Sequence, residues 1–241
     1  PFAGDADPTP SRWSAVFLRL RRRLRGALEE LLVRLRGGGH TFTIVVAVVV
    51  GVLAGYGAIA FRALIAVTHR MFFATSEYSL DMLQAMPWWQ RLTLPAIGGL
   101  AGGLIVTRLA PEVRGSGIPE VMEAVARRGG AIRVRVLVAK ALAAALTIGS
   151  GGSAGREGPI VHIGSAIGSA VGQAVEASAR RVRTLVACGA AAAIAATFNA
   201  PIAGALFSIE VVLGDFAVAS LSPIVISSVV ATVISRHHLG D

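Results

Sequence analysis

Charge is scarce in this 241-residue chain: 15% of its residues are Asp, Glu, Lys or Arg, against 54% hydrophobic, and its mean hydropathy is +0.67. That balance excludes an ordinary soluble domain and points to an integral membrane protein. There is one cysteine, Cys188, in an Ala-rich apolar run. A lone thiol excludes a disulfide framework within the chain, and no Cys/His spacing suits a metal, so Cys188 reads as core filler. Nor is there a paired nucleophile and base of the kind an intramembrane protease needs, so the chain reads as no enzyme. No cofactor is implied.

What is abundant is glycine, 28 residues, together with many Ala and Ser, which suits helices that approach one another closely in a bilayer. The net charge of +9 is unevenly placed. Between residues 11 and 36 eight Arg face Glu29 and Glu30, so +6 of the total lies directly before the first apolar span. This position favours orientation and lipid contact over nucleic-acid binding and predicts a cytoplasmic N-terminus. Residues 1–40 form a separate N-terminal segment. Pro1, Pro8 and Pro10 mark a disordered lead, and Leu20, Leu24, Leu28, Leu31 and Leu35 recur at helical steps, with Arg on the other faces. An interfacial amphipathic helix ended by Gly37-Gly38-Gly39 is expected. That helix and its stop separate the basic residues from the apolar run, unlike a cleaved signal peptide.

From residue 41 to 241 apolar segments alternate with short polar ones. Thr41 to Phe61 is uncharged and long enough to cross a bilayer, which takes about 20 residues. Arg62 to Arg91 reads as a loop with Trp88-Trp89 as an interfacial anchor. Leu92 to Leu109 returns, with Gly98-Gly99 and Gly102-Gly103 predicting a tight helix contact. Arg127, Arg128, Arg133 and Arg135 mark a cytoplasmic loop and Arg180, Arg181 and Arg183 another loop. The run from Thr184 to Ile209 is broken at Phe198-Asn199-Ala200-Pro201, because the residue before a proline is pushed out of the helical region.

Two further breaks carry the chemistry. Pro111 to Glu120 is irregular up to Pro119, which suits the first position of a short helix, Pro119 to Arg127. Gly149 to Ile160 is glycine-rich and places Arg156 and Glu157 between two membrane-like runs. Irregular backbone at membrane depth is tolerated where protein buries it or it lines a polar cavity, and an ionisable residue there is functional by default. Two breaks, each followed by a helix start, predict free amides and positive dipole ends facing a midplane anion. Ser116 adds a hydroxyl donor. Two readings of Glu157 stand: a gate that competes with the anion when ionised and swings out when protonated, or a first-turn carboxylate satisfying helix amides.

Gly115-Ser116-Gly117-Ile118-Pro119, Gly155-Arg156-Glu157-Gly158-Pro159 and Phe198-Asn199-Ala200-Pro201, in this order within apolar helices, resemble the signature motifs of the CLC family of chloride channels and chloride/proton antiporters. The resemblance runs from about residue 41 to the end. It implies an all-α membrane fold with tilted and discontinuous helices, here the first half of an inverted repeat, in a homodimer. It implies chloride as the transported ligand, with a bacterial inner membrane as the expected location. Ser116, Gly117, Ile118, Arg156, Glu157 and Gly158 are implied chloride-binding residues, and Glu157 the external gate and proton acceptor.

Two departures bear on what is carried over. Bacterial antiporters typically have two acids where this chain has Glu210-Val211, and a valine there resembles channel members. Compactness and short loops favour a chloride/proton antiporter, with a passive chloride channel as the alternative. The second half of the family's fold, with a third anion-facing helix end and an inner tyrosine, lies outside residues 1–241, so a C-terminal half of the same protein is the expected partner. From another class, the glycine-rich breaks would serve only packing in a non-transporting membrane scaffold, a role that gives no use for Glu157.

Lys140, inside an apolar helix, needs a counter-charge or polar cavity; it supports the anion path or pairs with Glu210, or else it is a snorkelling or structurally paired lysine. His162 lies five residues after Glu157, out of helical register for ligation, and reads as a structural histidine. His237-His238 reads as loop or interface.

Overall fold

The computed structural model describes residues 39–74, 80–109, 115–215 and 218–240. The expected amphipathic helix and disordered lead lie outside the described residues. Contacts divide the chain into Pro1–Phe42 and Thr43–Asp241. Of the first unit only Gly39–Phe42 is described, as the start of a helix; the second unit holds all the other described residues.

The described residues are helical, with no strand among them. In chain order they form α1 (Gly39–Phe73), α2 (Leu80–Ala85), α3 (Trp88–Leu109), α4 (Ile118–Arg127), α5 (Val134–Gly149), α6 (Glu157–Ala174), α7 (Ala179–Phe198), α8 (Pro201–Phe207) and α9 (Val218–Leu239), with a π-helical turn over Ser208–Leu213 continuing α8. Among the described residues three helical segments, Gly39–Phe73, Ala179–Phe198 and Ser220–Leu239, are long and apolar enough to cross a membrane. Val49 and Leu53 on α1, Leu100 and Leu104 on α3, and Val229 and Val233 on α9 stay exposed, as faces turned to lipid or to further protein would be.

Helix α7 is the centre, flanked by α6 and α9. Its approach to α6 is set by glycine: a β-carbon on Gly164 or Gly189 would fall on the other's carbonyl, and one on Gly168 on the carbonyl of Leu185. In lipid, where water does not drive helices together, such close backbone approach supplies the packing contacts. Serines complete it across helices. Ser208 Oγ donates to the Ala187 carbonyl at 2.6 Å, Ser227 Oγ to that of Cys188 at 3.1 Å and Ser235 Oγ to that of Ala196 at 2.6 Å. Cys188 itself is fully buried there.

Several boundaries differ from the sequence expectation. Helix α1 continues through Arg62 and His69 to Phe73, where a loop was expected, since charge ends a hydropathic run without ending a helix. At 1.5 Å per residue its 35 residues span about 52 Å, more than the roughly 30 Å hydrocarbon core, so it is tilted or projects beyond it. Arg180, Arg181 and Arg183 open α7 rather than forming a loop, after Ser178 in an extended conformation. Of the two glycine pairs on α3, one member of each makes the contact. A β-carbon on Gly98 would meet Ser150 and one on Gly102 would meet Thr147 and Ala143 of α5, while Gly99 and Gly103 face open space.

Candidate anion site between two helix starts

Gly115 and Gly117 adopt φ of +115° and +102°, a region that leaves L side chains strained and glycine free. Ser116 is thus held between two glycines on a loop that turns into α4 at Ile118, with Pro119 in the first turn. The carbonyl of Gly117 accepts the Val121 amide at 3.2 Å, closing the first helical bond, and no side chain caps this end. The planar peptide turns the Ile118 N–H the opposite way, out of the helix start.

The second break ends in the same manner. Arg156, in helical conformation, precedes α6, which opens at Glu157 without a side-chain cap. The Glu157 carboxylate lies against the α-carbon of Gly155, is exposed, and accepts no hydrogen bond among the described residues. Helices α4 and α6 meet at their starts: a β-carbon on Gly158 would fall on the Ser116 carbonyl, and one on Gly117 would lie 3.2 Å from the Gly158 carbonyl and 3.1 Å from Cβ of His162. The first contact leaves no room for a side chain, and at Gly117 the tight fit adds to a φ of +102° that already favours glycine.

One cavity of about 660 Å³ follows from this meeting, and Gly115, Ser116, Ile118, Lys140, Glu157 and Gly158 line it. Lys140, 5% exposed, donates from Nζ to the Gly115 carbonyl, and Glu120 is the carboxylate that acts on its charge. Glu210 is exposed on the π-helical turn, outside this cavity. The site therefore brings together a hydroxyl, the N-terminal backbone of two helices, a cationic side chain and one exposed carboxylate. That set suits a small anion held by partial charges, with an acid able to compete for the same place.

Arg156 and Gly117 do not line the cavity. The Arg156 guanidinium lies over the Phe198 ring, 5.5 Å from its centroid, and shares a second cavity of about 300 Å³ with Arg62, Asn199 and Arg236. Thus the third motif meets the second through Arg156. Asn199 ends α7 in the left-handed region at φ +55°, and its Oδ1 accepts Arg236 Nε at 2.6 Å. His162 turns its Nδ1 to the Gly117 carbonyl at 3.3 Å, so it serves the Ser116 loop, a placement the distance from Glu157 conceals. Counted from Gly158 it is four residues on, the spacing that puts two residues on one helical face. Glu120, directly after the proline of the first motif, also escaped notice; its signal is an acid in the first turn of a short helix.

The profile of the voltage gated chloride channel family matches residues 97–241. A putative chloride channel protein ClcB-like of Ralstonia nicotianae is 34% identical over 199 residues, 81% of this chain and 46% of that protein. The voltage-gated ClC-type chloride channel ClcB of Escherichia coli is 34% identical over 196 residues, 80% of this chain and 46% of the relative. Among solved structures, a slow cyanobacterial Cl⁻/H⁺ antiporter superposes with TM-score 0.69 at 29% identity, covering 83% of this chain and 47% of that one. A CLC-type fluoride/proton antiporter gives 0.68 at 25% identity, over 83% and 48%. The chain spans about half the length of the curated relatives it matches. With the helix order, the paired breaks and these likenesses in agreement, the chain belongs to the voltage gated chloride channel family.

Proposed function

We propose that this chain supplies the first half of a chloride-transporting membrane protein in which the cavity at Ser116 holds the anion and Glu157 gates it. The observation that carries this reading is that Ser116 and Glu157, forty-one positions apart in sequence, line one cavity between two uncapped helix starts. Ionised, Glu157 competes with chloride for the same amides; protonated, it loses that attraction and leaves the site to the anion. Lys140, with its charge at the cavity wall, supports the anion. The protein works without covalent catalysis or a cofactor, as a homodimer in a bacterial inner membrane, with its N-terminus cytoplasmic and a C-terminal half of the same protein completing the path.

Exchange of chloride for protons is the favoured mode, supported by the likeness to a solved Cl⁻/H⁺ antiporter. Passive conduction is the second reading, and Val211 favours it, as do relatives named channels. The full-length protein in liposomes, with chloride efflux and proton movement recorded together, decides between them. Uphill proton movement driven by a chloride gradient is expected. In Glu157→Gln proton movement should be lost while chloride still passes. Equal chloride and proton flux in wild type and Glu157→Gln would remove Glu157 as gate.

A further inference from the structure

Three arginines from three parts of the fold line the cavity of about 300 Å³ at Phe198 and Asn199: Arg62 of α1, Arg156 before α6 and Arg236 of α9. Among the described residues no carboxylate lines it. Its two hydroxyls already donate to backbone, Thr197 Oγ1 to the Ala193 carbonyl at 2.8 Å and Ser235 Oγ to that of Ala196. Guanidinium N–H groups therefore dominate the chemistry of this cavity, and all three arginines are exposed in this chain. Two of them are also held in place: Asn199 Oδ1 accepts Arg236 Nε at 2.6 Å, and Arg156 lies 5.5 Å from the centroid of the Phe198 ring. An arginine that only reaches for water from a helix end needs no such fixed partners.

The depth of the cluster follows from the sequence and the helix packing. Residues 43–61 of α1 and 218–235 of α9 are uncharged, which at 1.5 Å per residue gives about 28 and about 27 Å of helix, close to the roughly 30 Å hydrocarbon core of a bilayer. The two helices run in the same direction, since a β-carbon on Gly51 would meet Ser227 and one on Gly55 would meet Ala231, one turn further along each. Arg62 and Arg236 are the first charges after these runs. Both stand where hydrocarbon gives way to headgroups.

We propose that Arg62, Arg156 and Arg236 bind the phosphate of an anionic phospholipid headgroup where the uncharged runs of α1 and α9 end. A guanidinium presents paired N–H donors that match two oxygens of one phosphate, and basic pockets between membrane helices take lipid headgroups. The volume, at the lower end of the range for small-molecule sites, suits a polyatomic headgroup better than a single halide ion. Three like charges around one cavity repel one another until an anion sits among them. The site is separate from the cavity at Ser116, which none of the three arginines lines, so either can fail without the other.

Phosphatidylglycerol or phosphatidylcholine is titrated into the delipidated full-length protein, bound lipid is counted by native mass spectrometry, and inorganic phosphate serves as competitor. The two lipids share a phosphate and differ in net charge. The Arg-rich residues 11–36 also attract anionic lipid, so the site is read from the difference between wild type and variant. Arg62→Gln leaves the Arg236–Asn199 bond and the Arg156–Phe198 contact in place. It should weaken one bound phosphatidylglycerol about fivefold, the equivalent of roughly 1 kcal/mol per basic residue at a membrane surface. Adding Arg236→Gln should weaken it about fivefold again, with phosphatidylcholine bound as in wild type. Folded Arg62→Gln that binds phosphatidylglycerol like wild type overturns the site, whatever the double variant does. Equal affinity of wild type for the two lipids also overturns it, and displacement of the lipid by inorganic phosphate at equal concentration assigns the three arginines to the free ion instead.

Discussion

Gly158 presses so closely on Ser116 that a β-carbon at position 158 would fall on the Ser116 carbonyl oxygen. This contact, between the first turn of one helix and the loop before another, is what makes a single cavity from two breaks in the chain. The obstructing atom is backbone, so making room for a side chain at position 158 requires the Ser116 loop itself to shift.

Gly158→Ala should therefore lose chloride affinity as well as stability. Overpacking of this kind costs about 1–3 kcal/mol, and here the strain falls on Ser116, the residue proposed to bind the anion. Calorimetry of chloride binding, beside a thermal melt of the purified full-length protein, tests this. A variant that melts lower yet binds chloride as wild type would show that the contact serves packing alone.

The two faces of α3 give a cleaner stability test. A β-carbon on Gly102 would lie 2.8 Å from Thr147 Oγ1 and 3.0 Å from the Ala143 carbonyl, whereas one on Gly103 meets nothing. Gly102→Ala should lower the melting temperature through strain of about 1–3 kcal/mol at the α3–α5 crossing. Gly103→Ala should be neutral or slightly stabilising, since alanine in a helix is favoured over glycine by about 1 kcal/mol. Equal effects at the two positions would mean the helices cross in another register.

Glycine and proline made the breaks legible in the sequence itself. The short helix after Gly117, the stop at Gly149 and the turn at Asn199 all fall within a residue or two of where these residues place them. Charge was a poorer guide. Arg62 and Arg180 looked like loop markers and are helical, because arginine is a good helix former and its long side chain can reach water from a helix end. The site was half visible. Ser116, Glu157 and Lys140 stand out as polar groups in apolar surroundings, but the place of His162 is set by a contact between helices. Only the packing of α4 on α6 shows that His162 faces Gly117.

Asn199 illustrates a residue set by its backbone. It ends α7 at φ +55°, a region that costs an ordinary residue about 1–2 kcal/mol and that asparagine and glycine tolerate. Asn199→Ala should destabilise by about that amount, and Asn199→Gly by less, since glycine keeps the turn and forfeits only the acceptor for Arg236. The ranking wild type, Gly, Ala in thermal melts is the expected result. The reverse order of Gly and Ala would show that the left-handed backbone conformation does not decide the residue at this position.

Lys140 and Glu120 should prove a coupled pair. Lys140 is 5% exposed and Glu120 is the carboxylate that acts on it, so each side chain makes the other tolerable away from water. Lys140→Met removes the cation whose field offsets the Glu120 carboxylate, and with that carboxylate's oxygens buried it should destabilise by about 1–3 kcal/mol. Adding Glu120→Gln removes that isolated charge, so the double variant should recover much of the stability while still binding chloride weakly, because the ammonium at the cavity wall is gone. A double-mutant cycle from denaturant or thermal unfolding measures the first effect and chloride calorimetry the second. Additive stability losses would mean that Lys140 is balanced by some other group, and restored chloride affinity in the double variant would mean that its charge acts on folding and not on the anion.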